Sequence, residues 1–438
     1  MRRLPWSLGA FGVVLCACCA AEATGNSGWF DVAAVLFTLG FALGGRGWLT
    51  RASGKFGVSL AGAVLVIALA LGVSPAAVLA PATRMSGVVA LMLSIALVRP
   101  IFAQRRLDEA LAALLARVPP LLRRPAVLLA ACTGSLGLSF GAVGILGASL
   151  GRRTAPEHIA PCAAMRGLVL SMLIGPSTAS VAAVMALHPD VGWGAALSVG
   201  LPLAAVGMLL GSSARQPLAV DADAGRSGGW TALVILAAEL AIAVFVHLVL
   251  GLSMTLAISV ASAAIAVTCT LYWGHNDVGG ALRRAERTMR ETWCLLMPEA
   301  ALFLASGLVV GLMQSPAVSH AVGLAADSAL PSGMYGIATI LIVVPLITVA
   351  GIHPIILFAL LAPTVSSVML GINELGLYTM WVVAFMLSML LSPASVLTMV
   401  TVTNFGIPGR LLGLRGHGLY ALALAATTAV AITVFCHR

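Results

Sequence analysis

Charge is what this sequence has least of. Of 438 residues only 24 are Lys or Arg and 15 are Asp or Glu, 9% in all. A soluble fold of this length covers its surface with roughly a quarter charged residues. The shortage excludes a soluble enzyme, a nucleic-acid binder and a disordered protein. Metal-binding patterns are missing as well. The eight cysteines (Cys16, Cys18 and Cys19 together, then Cys132, Cys162, Cys269, Cys294 and Cys436 scattered through apolar stretches) form no Cys/His spacing suited to a metal. They read as small buried hydrophobes. A P-loop is absent, because Gly54-Lys55 is followed by Phe56 rather than Ser or Thr. The chain therefore cannot drive a pump with ATP by itself. HExxH, GxSxG and clusters of intramembrane acids are also missing, so no catalytic residue and no cofactor is assigned, and an enzyme is not expected.

What is present is apolar. Hydrophobic residues make up 60% of the chain, about 263 positions, and mean hydropathy is +1.06. At about 20 residues per helical span that supports an all-α polytopic membrane protein. Apolar runs fall at 6–21, 30–48, 57–74, 86–102, 125–150, 160–187, 193–212, 230–250, 253–273, 294–314, 334–365, 378–402 and 418–436. The first follows Arg2 and Arg3 and ends at Ala21-Glu22-Ala23, a pattern shared by cleaved signal peptides. The second run, starting at Phe30, favours an uncleaved first span.

Lys and Arg mark cytoplasmic loops. They cluster at Arg46/Arg51/Lys55, Arg105/Arg106/Arg117/Arg123/Arg124, Arg152/Arg153, Arg215/Arg226, Arg283/Arg284/Arg287/Arg290 and Arg410/Arg415. The run 125–150 has arginines at both ends, so it is predicted to enter and return as a re-entrant hairpin, with its tip in the small, polar stretch Thr133-Gly134-Ser135-Leu136-Gly137-Leu138-Ser139. The run 334–365 has no Lys or Arg on either flank (His320, Asp327 and Glu374 lie there), so it is predicted to be a hairpin opening outward, with its tip at Gly351-Ile352-His353-Pro354. Non-helical backbone survives at such depth only inside protein or against a wet cavity. This threading leaves only Arg84 and Arg438 outside, among 24 basic residues.

A duplication is visible. Leu170-Ser-Met-Leu-Ile-Gly175-Pro176-Ser177-Thr178 matches Leu387-Ser-Met-Leu-Leu-Ser392-Pro393-Ala394-Ser395 at an offset of 217. Arg99-Pro100 falls beside Ser315-Pro316 at 216, and Gly137 and Gly351 are 214 apart. Opposite charge flanks make the copies inverted, and inverted repeats with broken helices place substrate near the midplane in secondary transporters. The predicted order is an N-terminal span (1–29), repeat one (30–212, hairpin about 122–151), a cytoplasmic linker (213–229) and repeat two (230–438, hairpin about 334–365). That gives about eleven spans with the N-terminus inside and the C-terminus outside. Helices lying near the membrane faces are predicted at 106–118 and 317–330.

The chemistry is expected at the hairpins and breaks. A mid-span proline frees backbone groups. Pro176 is followed by Ser177, Thr178 and Ser180, and Pro393 is flanked by Ser392, Ser395 and Thr398. Half-helix N-termini suit an anion, and freed carbonyls suit Na⁺. Candidate substrate- or ion-binding residues are thus Thr133, Ser135, Gly137, Ser139, Gly175, Pro176, Ser177, Thr178, Gly351, His353, Pro354, Ser392, Pro393, Ser395 and Thr398. His353 is read either as a carrier of a coupling proton or as a neutral ring bonded to the tip backbone. Glu239 and His247, eight apart, share a face of the seventh span, and Glu299 follows Pro298 in the ninth. Arg99 and Arg166 are expected to snorkel to the cytoplasmic interface, and Asn404 to cap its helix or line the inner cavity.

With these features the chain resembles the ion transporter superfamily, which includes the divalent anion/sodium symporters and the large membrane subunit of TRAP transporters. The resemblance rests on the inverted repeats, the opposed hairpins and the Pro-broken fifth and tenth spans. It also rests on His353-Pro354-Ile355-Ile356-Leu357, Leu361-Ala362-Pro363 and Leu390-Leu391-Ser392-Pro393, laid out like the last third of the TRAP subunits. It implies an elevator mechanism, a scaffold that dimerises, and inner-membrane residence. Na⁺ or H⁺ would be the coupling ion, and a small anion such as an organic acid the solute. A binding protein and a small subunit are implied only for a TRAP-type chain. The symporters carry Ser-Asn-Thr at both tips, and neither tip here has asparagine. A cation/proton antiporter using His353 or Glu239 is the alternative within transport, and a non-transport membrane protein the alternative outside it.

Overall fold

In a computed structural model the chain is described over residues 7–43, 52–104, 107–150, 159–212, 230–273, 277–321, 330–393 and 395–437. The linker 213–229, the basic loops holding Arg46, Arg51, Arg105, Arg106, Arg152 and Arg153, Asp327 and Ala394 lie outside the described residues. The rest is helical, with no named strand among the described residues. Among the described residues eight helices are long and apolar enough to cross a bilayer, and shorter apolar helices accompany them. The protein is therefore an all-helical polytopic membrane protein.

The first helices are α1 (Ser7–Thr24), α2 (Gly28–Leu43), α3 (Ala52–Ala70) and α4 (Pro75–Gln104). The stretch from α5 (Leu107–Arg117) through α6 (Arg123–Leu138) and α7 (Gly141–Leu150) holds the first hairpin. A broken span follows, α8 (Ile159–Ser171) and α9 (Ala179–Leu187), and then α10 (Trp193–Ser212). The middle of the chain forms α11 (Trp230–Leu250), α12 (Met254–Trp273) and α13 (Val278–Gln314). The second hairpin is α14 (Gly333–Val349) and α15 (Pro354–Leu361), followed by the short α16 (Ser367–Leu370). The second broken span is α17 (Glu374–Leu391) and α18 (Val396–Phe405), and α19 (Leu414–Phe435) closes the chain.

Two of these helices outrun the spans expected at 86–102 and 294–314. α4 has 30 residues and α13 has 37. At 1.5 Å per residue α13 is about 55 Å long, against a hydrocarbon core of about 30 Å. Its first half carries Arg283, Arg284, Arg287 and Arg290, and the apolar half begins at Leu296. Helix simply continues through residues that hydropathy assigns to a loop, because Ala, Arg, Glu and Met are good helix formers.

The chain divides into two compact units. One holds residues 1–101, 238–325 and 359–364; the other holds 102–237, 326–358 and 365–438. In the first, α1 packs on α2, α12 and α13, and α3 packs along α13. Glycines bring α4 close to α13 as well: a methyl at Gly311 would lie 2.5 Å from the Val78 carbonyl oxygen, and one at Gly307 2.5 Å from the Ala82 Cα. The Glu22 carboxylate of α1 accepts hydrogen bonds from the Ser253 backbone (2.6 Å) and hydroxyl (2.7 Å), pinning the first span to the α11–α12 turn. The second unit contains the first hairpin, both broken spans and the second hairpin as far as Phe358, the last turn of α15 falling to the first unit. There α6 packs on α8, α7 on α18, and α14 on α17.

Candidate functional site

Both proline breaks exist, and each is built the same way. The first span unwinds after Ser171 and resumes at Ala179; the second unwinds after Leu391 and resumes at Val396. A hydroxyl residue caps each restarted half-helix. Thr178 Oγ1 accepts from the Val181 N–H at 3.5 Å, and Ser395 Oγ accepts from the Thr398 N–H at 3.1 Å. Both caps satisfy a donor that a helix start otherwise leaves orphaned.

The two breaks differ in what remains free. At the second, two hydroxyls are spent internally: Ser395 donates to the Met389 carbonyl at 2.7 Å, and Thr398 donates to the Ser392 carbonyl at 2.9 Å. These bonds tie α17 to α18 across Pro393. At the first, Ser177 is fully buried and its hydroxyl has no hydrogen-bond partner among the described residues. Ser135, in the first hairpin, is in the same position. A methyl on Gly175 would touch Leu136 Cδ2 at 3.4 Å, so the first hairpin abuts the first break. Burying a hydroxyl without a partner costs about 1–3 kcal/mol. Trp193, absent from the sequence reading, takes one freed carbonyl, donating from Nε1 to Ile174 O at 2.9 Å.

The hairpin tips correct one expectation and meet another. Thr133, Ser135 and Gly137 were expected in a loop, but they lie in the closing turns of α6, which runs on to Leu138. The turn is at Ser139, whose φ of 50° makes it the only non-glycine with positive φ among the described residues. Small residues serve packing here: Gly134 faces Ala142 across the hairpin, with 3.3 Å available to a methyl. The Thr133 hydroxyl turns back to the Leu129 carbonyl at 2.9 Å. It lines an apolar groove beside α5. The second tip is at Gly351–His353, with φ of 99° at Gly351 and Pro354 opening α15. His353 Nδ1 accepts from the Ile355 N–H at 3.3 Å, so the ring caps the backbone. Nearby, the Thr348 hydroxyl lies 3.4 Å from the Ser388 carbonyl of α17, close before the second break.

Asn404 lies on α18 against the first hairpin. A methyl at Gly147 of α7 would lie 2.6 Å from its Cβ, and one at Gly144 3.6 Å from its Nδ2. Arg166 does not snorkel to an interface. It is buried, donates from Nε to His417 Nδ1 (3.3 Å) and from Nη2 to the Gly416 carbonyl (2.8 Å), and lies 4.6 Å above the Tyr420 ring. Arg99 is exposed near the end of α4. In the other unit Glu239 is buried, with Oε1 accepting from the Ser262 hydroxyl at 2.5 Å and Oε2 unpartnered among the described residues. His247 bonds elsewhere, to Leu252 O at 2.7 Å. No group of three or more His, Cys, Asp and Glu able to hold a metal occurs among the described residues.

No family model matches the chain, and no curated protein matches it by sequence. Its fold, however, is similar to that of the YdaH transporter of Alcanivorax borkumensis, a crystal structure with an unusual topology. The TM-score is 0.59 at 15% identity, over 88% of this chain and 98% of that one. The chain thus has the fold of a polytopic membrane transporter.

Proposed function

We propose that the protein is a secondary active transporter of the inner membrane, carrying a small anionic solute such as an organic acid with cation coupling by an elevator movement. The observation that carries this reading is the grouping in a single compact unit of both proline-broken spans, the first hairpin and the second hairpin through its tip to Phe358, with two buried hydroxyls beside the first break that have no partner among the described residues. A unit built that way can move as a body with its cargo. The starts of α9 and α18 offer N–H groups and a partial positive charge to an anion. Ser177, Ser135 and carbonyls freed at the break offer hard oxygen ligands to Na⁺. The N-terminus is placed inside and the C-terminus outside by the distribution of arginine. The likeness to a transporter fold supports the class, and the superfamily membership and substrate belong to the proposal.

A second reading, proton coupling, draws on Glu239, a buried carboxyl with one bare oxygen. His353 supports it less, because its Nδ1 already serves as an acceptor.

Thermal stability of the purified protein against a panel of organic and inorganic anions, in Na⁺ and in choline, tests the proposal. A ligand at 100 times its Kd should stabilise by about 2.7 kcal/mol. One anion stabilising only with Na⁺ is expected. Stabilisation that ignores Na⁺ but depends on pH would favour the proton reading, and no response to any anion would contradict anion transport.

A further inference from the structure

Beside the first hairpin runs a groove of about 330 Å³ between α5, the hairpin arms α6 and α7, and the start of α11. Its wall is hydrocarbon, with Leu111, Leu114, Leu129, Leu233 and Leu236 prominent. Thr133 is the one hydroxyl residue on it among the described residues, and that hydroxyl is committed to the Leu129 carbonyl. A hydrated solute would lose its water here and gain no hydrogen bond, so the groove suits a hydrocarbon chain. Its size is at the small end of ligand sites.

The charge around it is lopsided. Asp108 and Glu109 open α5, whereas Arg117 closes it and Arg123 and Arg124 open α6, with no acidic residue between 110 and 150. Val118 and Ala126 line the basic end of the groove, each close in sequence to these arginines. Arg123 donates to the Val118 and Ala116 carbonyls at 3.0 and 3.4 Å, clamping the end of α5 to the start of α6. Arg117 is exposed. Between them Leu121 and Leu122 are 75% and 57% exposed, as residues dipping into lipid would be.

We infer that this groove binds an anionic phospholipid, with one acyl chain along the leucines and the phosphate at Arg117. An apolar slot whose one end lies next in sequence to arginines matches an amphiphile of negative charge, and arginine clusters at membrane faces attract such lipids. The bound chain would wedge the first hairpin against α5 and set how freely that hairpin moves.

The test compares phosphatidylglycerol with phosphatidylcholine of identical acyl chains, by melting temperature after reconstitution and by native mass spectrometry of lipid retained on purification. The wild type should melt higher in phosphatidylglycerol, by on the order of 2–4 °C, and should retain that lipid. Ala130→Phe, which fills the groove, should lose both the retained lipid and the difference. Ala126→Leu is a milder obstruction, should the larger ring prevent folding. Arg117→Gln should keep a lipid but lose the preference for phosphatidylglycerol. Equal melting of the wild type in both lipids would overturn the proposal. So would undiminished lipid on well-folded Ala130→Phe and Ala126→Leu, or a change of oligomeric state in these variants with lipid content unchanged, which would assign the groove to a second copy of the chain.

Discussion

Two kinds of serine stand at the breaks, and they should answer mutation in opposite ways. Ser395 caps α18 and bonds across the break. Its replacement by alanine removes a cap, which costs about 1 kcal/mol, so the melting temperature should fall. Ser177 has a buried hydroxyl with nothing bonded to it. Ser177→Ala should leave the melting temperature unchanged or raise it, while lowering the apparent affinity for the coupling cation. Equal loss of stability in the two variants, read by thermal melting, would assign Ser177 a purely structural part. The hydroxyl positions were legible from sequence because a proline amid serines and threonines announces a break. Their division into spent and unspent groups was not, since it depends on which carbonyls the unwound turn presents. Arg166 was misread for a related reason. Its acceptors, Gly416 and His417, lie some 250 residues along the chain, and no local pattern points to them.

At the scale of elements, small residues carry two meanings that sequence alone does not separate. Thr133–Gly137 looked like a loop, but those residues let helices approach. A methyl at Gly134 of α6 would lie 3.3 Å from the Ala142 Cβ of α7. The hairpin turns at Ser139, the last residue of the stretch expected to form the tip. The same logic makes Gly147 a sharp test. A methyl there would meet Asn404 at 2.6 Å, so Gly147→Ala must push α7 and α18 apart, at a cost of about 1–3 kcal/mol, read as a lower melting temperature. Unaltered stability would mean that this helix contact yields freely. Pro393→Ala should impair transport more than expression, because the break is held by the Ser395 and Thr398 hydrogen bonds as well as by the ring. Unchanged uptake would reduce the motif to a kink. The breaks themselves, the second tip and α5 fell close to where proline, glycine and charge placed them. The long α4 and α13 did not, because charge scarcity marks where membrane ends and says nothing about where helix ends.

For the whole molecule, the division into two units was the feature least accessible from sequence. The repeats read from sequence follow one another along the chain, whereas one compact unit collects both breaks, the first hairpin and the second hairpin as far as Phe358. Hydropathy reads the chain in order and cannot anticipate that regrouping. The central claim is that this body carries its first break past the membrane barrier, exposing it to each side in turn. The direct measurement places a cysteine at Ser177 in a chain freed of its native cysteines and follows labelling by an impermeant thiol reagent in right-side-out and inverted vesicles. Labelling from both sides, slowed by the coupling cation, is the expected result. Labelling confined to one side under every condition of cation and solute would contradict the account.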